Sequence, residues 1–370
     1  MEKSMKEAVY RHIVVEGASY EIGKELGEYI KQYHPELIDL FIKGNEYIKP
    51  ASEMQVEKTI KLFEKYCPNI NKEVNGFADS IGVNHKSIIY YSFSNVCSSN
   101  CGHFAVLPSK TTDRHLYVGR NYEWNTNDEL SLITTRAKGL NAHLGFSLLL
   151  FGRYEGINEY GLCITMSNGA PMINSEEEGL RFWAVIRILL DICKTVDEAV
   201  ELINELPISS HCNLIIADRN NNAVLAEISN STKAYKRISP DTRDSYVCST
   251  NHYTLDELQN HVRNRMRQSI DRYNAIKECI DKKEAVSKED LRTILSAHMP
   301  DGLTCHYYEY GLGTLWSILF DVTKVQADVC FGSPVCNKWY TFDLMKKPGI
   351  TEYIAELPFE TADPEIWKHI

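Results

Sequence analysis

Long apolar runs are missing from this 370-residue chain. The most apolar stretch, residues 144–151, already contains Gly145 and Ser147, whereas a helix that crosses a bilayer needs about 20 apolar residues. The opening Met-Glu-Lys-Ser-Met-Lys-Glu lacks the apolar core of a secretory signal. Positive charge is also scarce: 40 Lys plus Arg stand against 50 Asp plus Glu, a net charge of −10. A duplex binder needs a positive surface to displace counterions, so this balance argues against nucleic acid or an anionic membrane as the main partner. No Gly-rich phosphate loop, dinucleotide fingerprint or Gly-x-Ser-x-Gly elbow occurs. The pairs Cys97/Cys101 and Cys330/Cys336 lack companions at zinc-ligand spacing. The expectation is therefore no cofactor and no metal. Eleven cysteines, an odd number without a paired framework, point to a reducing cytoplasm.

What is present is an ordinary globular composition, with 44% hydrophobic and 24% charged residues. The first hundred residues read as mainly helical. After a β-like run at 12–15, Gly17-Ala18-Ser19 opens a helix that Pro35 breaks or kinks, and 56–66, 70–81 and 87–91 continue in helical spacing. From Cys101 the texture becomes strand-like at 104–107, 116–121, 130–135 and 146–151. Hairpins are expected at Asn158-Glu159-Tyr160-Gly161 and at 218–222. Helices are expected at 181–194, 197–206, 255–281 and 288–297, and strands again at 315–322 and 328–331. Strands in blocks, separated by helices in blocks, predict an α+β layered fold.

Polar residues gather at predicted strand ends. Cys101 stands directly before an apolar strand in Asn100-Cys101-Gly102-His103-Phe104, where His103 reads as a strand residue. Gly119-Arg120-Asn121-Tyr122-Glu123-Trp124 ends the next strand with a cation and a carboxylate three residues apart. Asn168 closes the strand after the Asn158 turn, Thr250-Asn251-His252 closes another, and Arg263, Arg265 and Arg267 follow. Taken singly, each has an ordinary explanation: a free Cys is usually a small core residue, and a strand-end Asn is usually turn chemistry.

Taken together, in this order, they resemble the penicillin acyltransferase-like cysteine family of N-terminal-nucleophile (Ntn) hydrolases, related to bile-salt hydrolases and acid ceramidase. The resemblance is carried by Gly17-Ala18-Ser19-Tyr20-Glu21-Ile22-Gly23, Cys101, the Gly119–Trp124 block, the Asn158-Glu159-Tyr160-Gly161-Leu162 turn, Thr250-Asn251-His252 and Thr314-Leu315-Trp316-Ser317. It runs from Gly17 to about residue 320, nearly the whole chain.

The resemblance implies a four-layer αββα sandwich made as a zymogen, with residues 1–100 as an α-rich leader and 101–370 as the catalytic domain. Cys101 would cut the Asn100–Cys101 bond itself, and the two fragments would stay associated, alone or in a higher oligomer. The freed α-amino group, with an ordinary pKa of about 7.7–8.0, would then take the proton of the Cys101 thiol, so one residue supplies nucleophile and base. By the same resemblance Arg120 lies near the nucleophile and Glu123 holds its amine, at a position where the family usually has Asp. Asn168 and Asn251 serve the oxyanion hole, and Arg265, with Arg263 as the alternative, is the later arginine. Gly102 departs from the Ser or Thr that commonly follows the nucleophile. The implied activity is hydrolysis or acyl transfer at a linear non-peptide amide of a small molecule through a Cys101 thioester. A second reading, an inactive Ntn-like scaffold that binds a small amide or acyl ligand, fits the departures at Glu123 and Gly102.

Overall fold

A computed structural model describes residues 4–44, 50–91, 100–169, 179–260 and 265–370. Its largely buried strands pair into two sheets that share one apolar core. The larger runs in the order Thr232–Ile238, Ala223–Ser229, His211–Ala217, Cys163–Asn168, Gly156–Asn158, His143–Leu148, Ser131–Ala137, Ser4–Gly17 and Gly349–Phe359. The smaller runs Tyr246–Ser249, Asn100–Val106, Tyr117–Trp124, Leu312–Asp321, Gln326–Phe331 and Trp339–Phe342. Between the sheets, Trp316 stacks on Tyr122 and on Phe146 with ring centroids 4.0 Å apart in each pair. Such offset aromatic contacts add to the area buried.

Helices close both outer faces. Against the smaller sheet, Ile276, Ile280, Leu291, Ile294 and Leu295 of Arg267–Asp281 and Lys288–Ser296 pack on Phe104, Val106, Tyr117 and Leu319. The larger sheet is covered by Phe182–Ile192 and Val196–Glu205 together with the early helices Ser19–Tyr33 and Pro68–Ile81. The layering is therefore α, β, β, α, the α+β sandwich expected from the sequence.

The early helices explain one of the sequence motifs. Ser19–Tyr33 and Pro68–Ile81 cross so closely that a Cβ on Gly23 would lie 1.8 Å from the carbonyl oxygen of Glu73. Glycine is needed there because the two backbones touch.

Three elements depart from the sequence reading. The β-like run at 12–15 is the buried half of a 14-residue strand, Ser4–Gly17, parallel to Ser131–Ala137 and antiparallel to Gly349–Phe359. Residues 4–9 give little β signal because most of them are exposed, and polar Ser4, Lys6 and Glu7 break any alternation with Met5, Ala8 and Val9. The apolar run at 146–151 is not one strand: it stops at Leu148, and Leu149 and Leu150 turn the chain with φ of 52° and 60°. The helix expected at 255–281 comprises Asp256–Gln259 and Arg267–Asp281, with 261–264 outside the described residues.

The first hundred residues are tied to the rest by buried polar contacts as well as by the ladder. Arg187 donates to both carboxylate oxygens of Glu73, at 3.0 and 2.5 Å, and to Asp191 at 2.9 Å, all buried. Removing one member of a buried pair leaves an uncompensated charge. Glu73→Ala is therefore expected to destabilise the chain by about 3–5 kcal/mol in thermal or urea unfolding. A change under about 1 kcal/mol would mean that the Arg187–Asp191 pair suffices. Among the described residues, no helix is long and apolar enough to cross a membrane.

Candidate active site

Cys101 is the second residue of Asn100–Val106, and its neighbours on the ladder determine what it meets. Across the antiparallel pairing with Tyr117–Trp124, Asn100 faces Glu123, Cys101 faces Tyr122 and His103 faces Arg120. Arg120 is fully buried and reaches back along the sheet, so that its Nη2 lies 3.1 Å from the Cys101 sulfur while its Nε donates to the Met166 carbonyl at 2.8 Å. Its Nη1 pairs with Glu155, which in turn accepts from the Trp316 indole N–H at 3.1 Å. The guanidinium is thus fixed on three sides, and a fixed cation beside a sulfur stabilises its anion.

The other face of the cysteine is held through its main chain. The Cys101 N–H donates to Asn251 Oδ1 at 2.9 Å, and Arg272 Nη2 donates to the same oxygen at 2.8 Å. Both partners can only donate, so the orientation of the Asn251 amide follows: oxygen toward Cys101, and Nδ2 toward the Asn168 carbonyl at 3.3 Å. The Asn251 loop is itself held from both sides. Ser269 Oγ accepts from the Asn251 N–H at 2.8 Å, and Asn213 Nδ2 donates to the carbonyls of Thr250 and His252 at 2.9 and 3.2 Å.

Glu123 is buried beside these groups. Its Oε2 lies 3.7 Å from Arg272 Nη1 and its Oε1 accepts from the Thr314 hydroxyl at 3.4 Å. Burial raises its carboxyl to about 8, with the Arg272 and Arg120 charges opposing the rise. The ladder slips between Thr314 and Trp316, and Tyr10 of the first strand donates to the Leu315 carbonyl at 2.6 Å within that irregularity. A bulge beside a functional group re-aims a side chain. Here Thr314 is directed at Glu123, and Tyr10 braces the irregularity.

Of the residues singled out in the sequence, Cys101, Arg120, Glu123, Asn168 and Asn251 come together. Arg265 is placed differently: its described side-chain contact is with Gln259 at 3.4 Å, and its main chain pairs with that of Ile370. Arg263 and Cys97 lie outside the described residues. The arginine that meets Asn251 and Glu123 is Arg272, two helical turns further on. Sequence reasoning passed over it, although Gln268, Arg272, Ile276 and Ile280 recur every fourth residue, so that a cation stands in line with an apolar stripe. Gln268 adds a bracket: its Nε2 donates to Asn100 Oδ1 at 3.0 Å, and its Oε1 accepts from Arg272 Nε at 3.1 Å. Glu155 was also missed, and a lone acid between Tyr154 and Gly156 carries no motif.

Two further sequence features have structural explanations. A Cβ on Gly102 would meet the Leu303 side chain at 2.9 Å, so the departure from Ser or Thr after the cysteine goes with a bulky residue packed on that spot. His103 is buried between the sheets against Thr165 Oγ1 at 2.8 Å, and burial together with Arg120 pushes its imidazole well below the ordinary range. The Asn158 turn pins a helix: its Nδ2 donates to the carbonyls of Leu190 and Cys193 at 3.0 and 2.7 Å, at the end of Phe182–Ile192.

A model of the acyl-coenzyme A:6-aminopenicillanic acid acyl-transferase family matches residues 109–335, more than half the chain. The chain belongs to this family. The matched region takes in Arg120, Glu123, Asn168, Asn251 and Arg272 and begins after Cys101. Among solved structures, penicillin V acylase from Agrobacterium tumefaciens is 15% identical, covering 68% of this chain and 90% of its own, with a TM-score of 0.45. A variant of the conjugated bile acid hydrolase from Clostridium perfringens is 13% identical over 71% of this chain and 99% of its own, with a TM-score of 0.46. The Caenorhabditis elegans ortholog of N-acylethanolamine-hydrolyzing acid amidase is 15% identical over 60% and 93%, with a TM-score of 0.43. No curated protein matches the sequence.

Proposed function

We propose that this member of the acyltransferase family is a self-cleaving cysteine Ntn hydrolase or acyltransferase acting on a linear non-peptide amide through a Cys101 thioester. The observation that carries the reading is the double hold on Cys101, with Arg120 3.1 Å from its sulfur and Asn251 Oδ1 2.9 Å from its main-chain N–H. One group favours the thiolate, and the other holds the nitrogen that becomes the α-amine.

Maturation proceeds in two steps. The Cys101 sulfur attacks the Asn100 carbonyl carbon, the Glu123 carboxylate opposite Asn100 relays the thiol proton to the amide nitrogen, and the C–N bond breaks to leave a thioester. Water then attacks that thioester, releasing the Asn100 carboxylate and a Cys101 with free thiol and amine. Gln268 and the Gly311 carbonyl hold the Asn100 side chain, at 3.0 Å each, and so orient the peptide to be cut. In turnover the α-amine takes the thiol proton, sulfur attacks the substrate carbonyl, and the leaving amine carries the proton away. Water or an acceptor amine then releases the acyl group. Glu123 and Asn251 hold the α-amine, Arg272 orients Asn251, and the amide N–H groups of Asn251 and Asn168 face the oxyanion. The two fragments stay together because Ser4–Gly17 is paired on both sides. The reading of an inactive scaffold has no observation in its favour beyond Glu123 and Gly102, and Leu303 accounts for the second.

Brief treatment of the incubated protein with iodoacetamide, followed by peptide mapping, tests the nucleophile. Cys101 is expected to be labelled first, ahead of the exposed Cys336. Labelling at Cys336 with Cys101 untouched would overturn the assignment.

A further inference from the structure

Away from Cys101, three segments bring two imidazoles and a carboxylate together. His298 follows the helix Lys288–Ser296, His306 lies on the short strand His306–Tyr307, and Glu360 directly follows Gly349–Phe359. Main-chain bonds fix the segments, with Glu360 N donating to His306 O at 3.0 Å and Met299 N to Thr304 O at 2.9 Å. Glu360 Oε2 lies 3.0 Å from His298 Nε2, and Oε1 lies 3.2 Å from His306 Nδ1. One donor atom from each of the three residues lies within 4.8 Å of the other two.

The far nitrogens of both rings decide what this cluster can hold. His298 Nδ1 sits 2.8 Å from the Met299 carbonyl. A carbonyl only accepts, so Nδ1 carries the hydrogen, and in the neutral ring Nε2 directs a lone pair at the Glu360 carboxylate. That 3.0 Å contact is made either by a proton on the ring or by a cation held between ring and carboxylate. His306 Nε2 is 2.7 Å from Ser333 Oγ, so each imidazole has an outer partner that fixes its orientation, as in protein metal sites.

We propose that His298, His306 and Glu360 bind a divalent transition-metal ion of the zinc class, with solvent completing the coordination. Two imidazoles and one carboxylate form a donor set suited to such ions. Tetrahedral bonds of about 2.0–2.2 Å put neighbouring donor atoms about 3.3 Å apart, and the two imidazole–carboxylate spacings are 3.0 and 3.2 Å, with the three donors within 4.8 Å of one another. His306 and Glu360 are largely enclosed, whereas the His298 side chain is 36% exposed and leaves an entry path and a position for water. The ion would clamp the end of the last strand to the His298–His306 loop. That loop reaches the Cys101 cluster through the Cys305 N–H, which donates to Thr314 Oγ1 at 2.9 Å. The site shares no residue with that cluster, and it stands or falls independently of the proposed acyl chemistry.

The test uses the full chain, stripped with a chelator and dialysed, then titrated with Zn2+ by calorimetry and with Co2+ by visible absorption. One equivalent is expected to bind, giving cobalt d–d bands without a sulfur-to-cobalt charge-transfer band. His298→Ala and Glu360→Gln should each weaken binding by at least about 100-fold, and Ser333→Ala by about 10–100-fold. Circular dichroism of the stripped variants checks that each still folds; His298 is the most exposed of the three, so its variant is the safest. Failure to bind one equivalent, binding unchanged in folded His298→Ala, or a thiolate charge-transfer band would each overturn the site.

Discussion

Asn251→Ala is expected to slow acylation of Cys101 by about 10²–10³-fold, the usual effect of removing one oxyanion donor. In this structure the side chain does two things at once. Its Oδ1 accepts from Cys101 N–H and Arg272, and its Nδ2 donates to the Asn168 carbonyl at 3.3 Å. Asn251→Asp separates the two, because it keeps the acceptor and removes the donor. If the N–H groups face the oxyanion, the aspartate variant should be as slow as the alanine variant in a pre-steady-state burst of amine release. Recovery to within about tenfold of wild type would mean that Asn251 only holds the amine.

Glu123→Gln should slow the self-cut at Asn100–Cys101 by about 10²–10⁴-fold, the range of a positioned acid–base group. Burial has raised this carboxyl to about 8. The wild-type cut should accelerate as pH rises toward 8 and level off above it, while the glutamine variant loses that step. Stability should move the other way. Below the unfolded carboxyl's ordinary range both states hold the proton; between there and about 8 only the folded state does, so stability falls as pH climbs through that window. Glu123→Gln, which has no proton to lose, should flatten this part of the pH–stability curve. An unchanged rate profile in the variant would move the proton-transfer role away from Glu123.

The parts of the fold most legible in the sequence were those with local signals. Helix periodicity located Ser19–Tyr33 and Pro68–Ile81, and turn chemistry located the Asn158 hairpin. The strand Ser4–Gly17 was nearly invisible, because its first half is mostly exposed, mixes polar and apolar residues, and is ordered only by Gly349–Phe359, late in the sequence. The same physics divides the site. Cys101, Glu123 and Asn251 each mark a strand end, where a polar residue interrupts an apolar run, and Arg120 is a lone cation inside the apolar strand Tyr117–Trp124. Arg272, Gln268 and Glu155 act from the middle of a helix or a short connection, and only the folded chain shows what they touch. The expectation at Arg265 follows the resemblance alone, whereas the reach to Asn251 is set by the helix face, which presents Gln268 and Arg272.

The central claim is that Cys101 becomes an N-terminal residue by its own chemistry, and intact-mass analysis of the purified, denatured chain tests it without any substrate. Scaling the 42.4 kDa mass by length predicts fragments of about 11.5 and about 31 kDa that co-purify natively and separate on denaturation. Cys101→Ala should remain one chain, and Cys97→Ala should cut as wild type does. A wild-type chain that stays at 42.4 kDa after long incubation at neutral pH would contradict the account.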